Sequence, residues 1–312
     1  AQQLQRLAEH AGRDLGFLVA LRGLLLGGGN ALFQAFEVGE QQLGLDRFGI
    51  GDRIDLVLDM LDVVVLEAAQ DVDDRIHLAN VAEELIAEAV EKAKEADYVV
   101  MFGGLNKSNF QDSEGNDRKS YGLPYDQDKV IEALAKANRN FVYVNISGNP
   151  VAMPWKSSVP AIVQGWFIGS EAGTALASVL VGDANPSGKL PYTWAASLAD
   201  VGAHALDAYP GVWRKEGGPS AKGNIIDEEY KEGIYVGYRW VDKEKTKPQF
   251  AFGHGLSYTT FKLSNARANA ASMTRDGRIT FTVNVKNTGK RAGAEVVQLY
   301  IHDVKASLDR PE

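Results

Sequence analysis

The 312-residue sequence predicts an α/β fold, a layered sandwich with a mainly parallel sheet, followed by a partial antiparallel β-sandwich. Three observations predict it. Short apolar runs recur at "YVVMFGG" (98–104), "NFVYVNIS" (140–147) and "AIVQGWF" (161–167). Segments of helical period separate or follow them, and continuous apolar runs joined by helices mark strands buried on both faces. The tail changes to strict alternation, the pattern of a half-buried antiparallel strand.

The first ninety residues stand apart. From Ala1 to Val90 there is no Lys, Ser, Thr, Pro, Tyr or Trp, and six Arg face sixteen Asp and Glu. The tract therefore carries −10 and the rest of the chain +2, which together give the formal charge of −8. Helix caps and turns lean on Ser, Thr and Pro, so residues 1–80 have no assigned fold and two readings stay open. One is a helical region that uses Asp, Asn and Gly in those roles. The other is a non-native tract, read from a wrong frame or strand and joined to a coding sequence near Asn80. Translating the parent DNA in all six frames decides between them.

Order begins at residue 81. Asn80 and Glu83 resemble a capping box, and Val81, Leu85, Ala89 and Val90 share one helical face, predicting a helix to about residue 96. The strand at 98–104 follows, then a charged loop. "DQDKVIEALAKANRN" is the next helix, with Asp126 as N-cap and Val130, Ile131, Leu134 and Ala137 facing the core. Strands at 140–147 and 161–167 lead into "GSEAGTALASVLVGD", a helix closed by Gly182. In the tail, "RITFTVNV" places Ile279, Phe281, Val283 and Val285 on one face, and "EVVQLYIHD" reads as a second strand after a turn. This divides the chain into 1–80, a sandwich domain at 81–258 and an incomplete β domain at 259–312.

Composition excludes several functions. The negative charge and the lack of a basic stripe argue against a nucleic-acid partner. With no Cys there is no disulfide or thiolate metal site, and the five His show no ligand spacing, so neither metal nor cofactor is expected. The apolar stretch "LGFLVALRGLLLGGG" is broken by Arg22 and too short to span a membrane. "GGLNKSN" lacks the second element of a phosphate loop.

In parallel sheets ligands meet the loops after the carboxyl ends of strands, and "SNFQDSEGNDRKSYGLP" (108–124) is such a loop. Asp112, Glu114 and Asp117 compete in it for a chemical role, and Arg118 is placed to pair with Asp117. From the residues alone, a solvated loop with an ion pair stands beside a catalytic one. Elsewhere the bland reading leads: Glu171 complements a helix start, Asn145, Asn149, Asp183 and Asn185 build turns, and His254 packs. Tyr235, Tyr238, Arg239 and Trp240 form an aromatic stretch read as core or interface.

"SEGNDRKSYGLP", "GNPVAMPW", "QGWFIGSEAGTALASVLVGDANPSGKLPYTW", "YVGYRW" and "FAFGHGLSYTTF", in that order, resemble the carboxy-terminal half of family 3 glycoside hydrolases of the β-glucosidase and β-xylosidase type. The resemblance covers roughly residues 85–312 and stops short of 1–80. It implies the α/β sandwich and a truncated fibronectin type III-like domain. It also implies Glu114 as the general acid/base of a retaining mechanism, Asp117 and Arg118 as support for its loop, and a β-linked glucoside or oligosaccharide as substrate once a barrel is joined. The family favours a periplasmic or extracellular address and leaves a cytoplasmic one open. Eighty residues cannot hold a (β/α)8 barrel, which takes about 250, and no Ser-Asp-Trp nucleophile motif is present. The expectation is a fragment inactive alone, with an incomplete β domain open to self-association. A non-catalytic carbohydrate-binding or interaction module is the alternative.

Overall fold

The structure, a computed structural model, describes residues 33–34, 63–68, 78–106, 111–112, 118–218 and 222–307, with side chains from residue 83 onward. A five-stranded sheet runs in the order β1 (Phe33–Gln34), β2 (Val63–Ala68), β3 (Tyr98–Gly104), β4 (Phe141–Ile146), β5 (Ala161–Gln164). β2 to β5 are parallel, and β1 joins as an antiparallel edge. Helices α1 (Leu78–Glu95) and α2 (Gln127–Ala137) make the first two crossovers, and α3 (Ala172–Val181) follows β5. This is the expected parallel α/β sandwich.

Alternation along the strands produces its two layers. Val99, Met101, Phe141 and Tyr143 pack with Ala89 and Ala93 of α1 and Val130, Ile131 and Leu134 of α2. Val100, Val142 and Val144 point the other way and meet Leu176 and Leu180 of α3 together with Tyr258. Each fully buried aliphatic side chain here contributes about 1.5–3 kcal/mol. α3 ends where Gly182 turns left-handed at φ 85°, as its sequence required.

Four details depart from the sequence reading. α1 begins at Leu78, so Asn80 lies inside the helix and does not cap it. Asp126 stands at the N-cap of α2, but its backbone is left-handed and its carboxylate pairs with Lys129 at 3.2 Å instead of capping. Strand β2 lies within 1–80, a tract to which the sequence assigns no fold, and shares its ladder with β3. Beyond the sandwich, β8 (Phe261–Ala268) and β9 (Phe281–Asn287) form an antiparallel hairpin, but "EVVQLYIHD" is not a strand. Its apolar pattern has no ladder to join among the described residues, and Val296, Val297, Leu299, Tyr300 and Ile301 are exposed. Between sandwich and hairpin lie α4 (Gly202–Ala205), the short pair β6 (Val212–Trp213) and β7 (Ile226–Asp227), and α5 (Tyr238–Glu244).

Candidate active site

The loop after β3 leaves the sheet through two glycines. A side chain on Gly104 would put its Cβ 2.0 Å from the Ile146 carbonyl, and the residue's φ is +134°, so only glycine fits. That closeness lets Leu105 N–H donate to Ile146 O at 2.8 Å. Buried Gln127, at the start of α2, then brackets Gly104. Its Oε1 accepts from Gly104 N–H at 2.7 Å, and its Nε2 donates to Gly104 O at 2.9 Å.

The outgoing and returning chains are tied at their base. Asp112 N–H donates to Asn106 O at 3.0 Å, and Asn106 N–H donates to Gln111 Oε1 at 3.0 Å. The Asp112 carboxylate then crosses to the turn after β4, accepting from Gly148 N–H at 2.7 Å and Asn149 Nδ2 at 2.5 Å. Residues 113–117, which include Glu114 and Asp117, lie outside the described residues. On their far side Arg118 Nη2 donates to Pro150 O at 2.6 Å, so it too reaches the 148–150 turn. Asp112, one of the three carboxylates that compete in the sequence, is thus an anchor, and only a contact 37 positions away in the chain reveals it.

The electrostatics around Arg118 follow from burial. Partial desolvation lowers its pKa, and the nearby Asp112 charge opposes that shift. Its Nη1 is enclosed with no hydrogen-bond partner among the described residues, as is the Tyr192 hydroxyl. Tyr121, under the guanidinium at 5.7 Å, is pushed up to about 12 by burial, and its hydroxyl donates to Ala195 O at 2.7 Å. Burial raises Tyr192 also, so both phenols stay neutral at neutral pH.

The other residues singled out by sequence hold structure. Asn145, fully buried, donates to Ser147 Oγ at 2.8 Å and to Gln164 Oε1 at 2.7 Å. Asn185 exceeds its turn role: it accepts from Tyr258 N–H at 2.8 Å and donates to Ala292 O at 2.7 Å, joining the sandwich to the tail. Glu171 starts α3 and accepts from Thr174 Oγ1 at 3.2 Å, while Trp240 is buried. Among the described residues no group of three or more His, Asp or Glu gathers as for a metal ion, and no helix is long and apolar enough to cross a membrane.

His254 stacks on Phe250 with ring centroids 5.0 Å apart. Burial lowers its pKa, assisted by the charges of Lys156 and Lys189. A base whose folded pKa is depressed stabilises the fold above its unfolded value, and that contribution is lost as pH falls through the folded one. Replacing His254 with Gln should therefore flatten the loss of stability below about pH 6.5, the unperturbed value. Urea midpoints from pH 7.5 to 5 test this, and an unchanged slope would refute it.

A parallel sandwich that carries a charged loop and an Asn-Pro turn at the carboxyl ends of its strands belongs to the class of α/β domains that present ligand-facing loops. The family model described as the glycosyl hydrolase family 3 C-terminal domain matches residues 5–238, and the chain belongs to this family. It is 44% identical over 292 residues to the β-glucosidase BoGH3A of Bacteroides ovatus, covering 94% of this chain and 37% of that protein. Thermostable β-glucosidase B of Acetivibrio thermocellus is 40% identical over 238 residues, 76% of this chain and 29% of its own length. The crystal structure of DesR, a β-glucosidase from Streptomyces venezuelae in complex with D-glucose, superposes with a TM-score of 0.59 at 40% identity, over 68% of this chain and 25% of that one. The chain therefore spans about a third of these relatives. The family match starts at residue 5 and so takes in the compositionally odd tract.

Proposed function

We propose that this chain supplies the acid/base side of a retaining β-glucosidase site, with Glu114 as the proton donor and a barrel domain outside these 312 residues supplying the nucleophile. The observation that carries the reading is that Asp112 and Arg118, the residues on either side of 113–117, both hydrogen-bond one turn at the carboxyl end of β4. That edge is where a parallel sheet meets ligand.

In a retaining mechanism two carboxyl groups about 5–5.5 Å apart divide the work. One attacks the anomeric carbon and breaks the bond to the leaving oxygen. The other gives that oxygen a proton, then takes a proton from the water that releases the sugar. Glu114 fills the second role in our reading, with Asp117 and Arg118 supporting its loop, and a β-linked glucoside is the substrate class. The sandwich is taken to reach back at least to β2 and to end near residue 258. Residues 259–312 are taken as an incomplete fibronectin type III-like domain, whose exposed apolar residues Leu263, Phe281 and Val285 favour self-association.

The chain alone should show no turnover of an aryl β-glucoside above background, and joining it to a family barrel should restore turnover. Sizing the same sample reports the self-association. Turnover by the isolated chain that Glu114→Gln abolishes would overturn the need for a barrel.

A further inference from the structure

A cavity of about 370 Å³ lies along the outer edge of β5, and none of its lining residues belongs to the 106–118 loop or the 148–150 turn. Its volume falls at the low end of the range for small-molecule sites. We propose that this cavity binds a small aromatic carboxylate, with Lys156 as the partner of the carboxylate group. The proposal stands apart from the acid/base reading of Glu114.

The sheet leaves this edge open. β5 ends the strand order, and on its inner side Gly165 N–H donates to Asn145 O at 2.8 Å. Backbone groups of successive strand residues point to alternate sides, so Ile162 and Gln164 turn their N–H and C=O outward, and both residues line the cavity. No hydrogen bond among the described residues takes up those groups. The chain segments across the gap bond to each other instead of to β5. Leu190 N–H donates to His254 O at 2.8 Å, and Gly253 N–H donates to Leu190 O at 2.8 Å. Unpaired backbone groups are therefore left for an occupant or for water.

The facing walls are aromatic. Trp194 meets Phe250 with ring centroids 5.7 Å apart, and Phe250 meets His254 at 5.0 Å. Trp166 joins the row through Tyr192, which lies 5.9 Å from each tryptophan. Trp166, Trp194, Phe250 and His254 all line the cavity. Such a row can add edge and offset contacts to one more flat ring, which an aliphatic chain cannot match.

Charge sets the sign of the ligand. Lys156, Lys189 and His254 line the cavity, and no Asp or Glu does. Lys189 is already neutralised by Glu295 at 2.9 Å. Lys156 has no carboxylate within ion-pair distance among the described residues. Its ammonium lies 4.2 Å from the centroid of the Phe250 ring and donates to Gln249 O, which leaves donors to spare on a group that has three. Burial lowers the Lys156 pKa and the nearby Lys247 charge adds to the shift. A carboxylate at Nζ offsets both effects, and a neutral or cationic ligand offsets neither.

Calorimetric titration of the 312-residue chain with 2-naphthoate and with its neutral counterpart 2-naphthamide tests the proposal. The acid should bind at a single site about 10- to 100-fold more tightly than the amide, the weight of a hydrogen bond to a charged group. Lys156→Met should bring the acid down to the affinity of the amide, while Lys156→Arg should keep most of the preference. In a nitrogen–proton correlation spectrum, 2-naphthoate should move the indole signals of Trp166 and Trp194 and leave that of Trp213, which does not line the cavity. Equal affinity for acid and amide overturns the proposal, as does a preference that survives Lys156→Met. Should that variant fail to fold, the wild-type spectra decide: shifts at Trp213 without shifts at Trp166 and Trp194 overturn the site.

Discussion

In a barrel-joined form, Glu114→Gln should slow hydrolysis of an alkyl β-glucoside by about 10²–10⁴-fold, the usual contribution of a positioned general acid. A 2,4-dinitrophenyl glucoside should form its glycosyl intermediate at nearly the wild-type rate, because its leaving oxygen departs without a proton. The intermediate would then persist, since the same group must activate water in the second step. A small anionic nucleophile such as azide, which needs no deprotonation, should speed its breakdown. Equal losses on both substrates, with no effect of azide, would assign Glu114 to structure.

The second large effect is on stability. Trp155 is 1% exposed, meets Tyr143 edge to face at 4.9 Å, and donates from Nε1 to Asp128 Oδ1 at 2.6 Å. Truncating it to Ala should cost about 3–5 kcal/mol, because a large cavity would open between α2 and β4. The conservative Trp155→Phe isolates the hydrogen bond. Burial raises the pKa of Asp128, and the bond from Trp155 opposes that shift. An acid whose folded pKa is raised weighs against folding once it ionises, so the penalty is absent below the unfolded value and grows as pH rises through the folded one. Losing the bond raises the folded pKa further. Trp155→Phe should therefore destabilise more at pH 7 than at pH 4 by urea denaturation, and equal losses at the two pH values would exclude this account.

Helices and strands from residue 98 to 182 were legible because their burial patterns are local: apolar runs for strands, and Val130, Ile131 and Leu134 at helical spacing. The tract before residue 80 was not, because composition reports propensity and says little about long-range pairing. β2 is a strand by virtue of its ladder with β3. The converse holds for "EVVQLYIHD", which has the alternation of a strand and no ladder. A β pattern states only which face can be buried, and pairing requires a neighbour.

For the candidate site, the sequence by itself determined the chemistry available: a carboxylate-rich loop after a strand, Glu114 beside Gly115, and an Asn-Pro turn after the next strand. Only the tertiary structure decided that the loop and the turn meet, that Arg118 reaches Pro150, and that Asp112 is the carboxylate that anchors them. The physical reason is that a hydrogen bond depends on distance and direction. Asp112 and Asn149 become neighbours only when parallel pairing sets β3 beside β4 and brings their carboxyl ends to one edge.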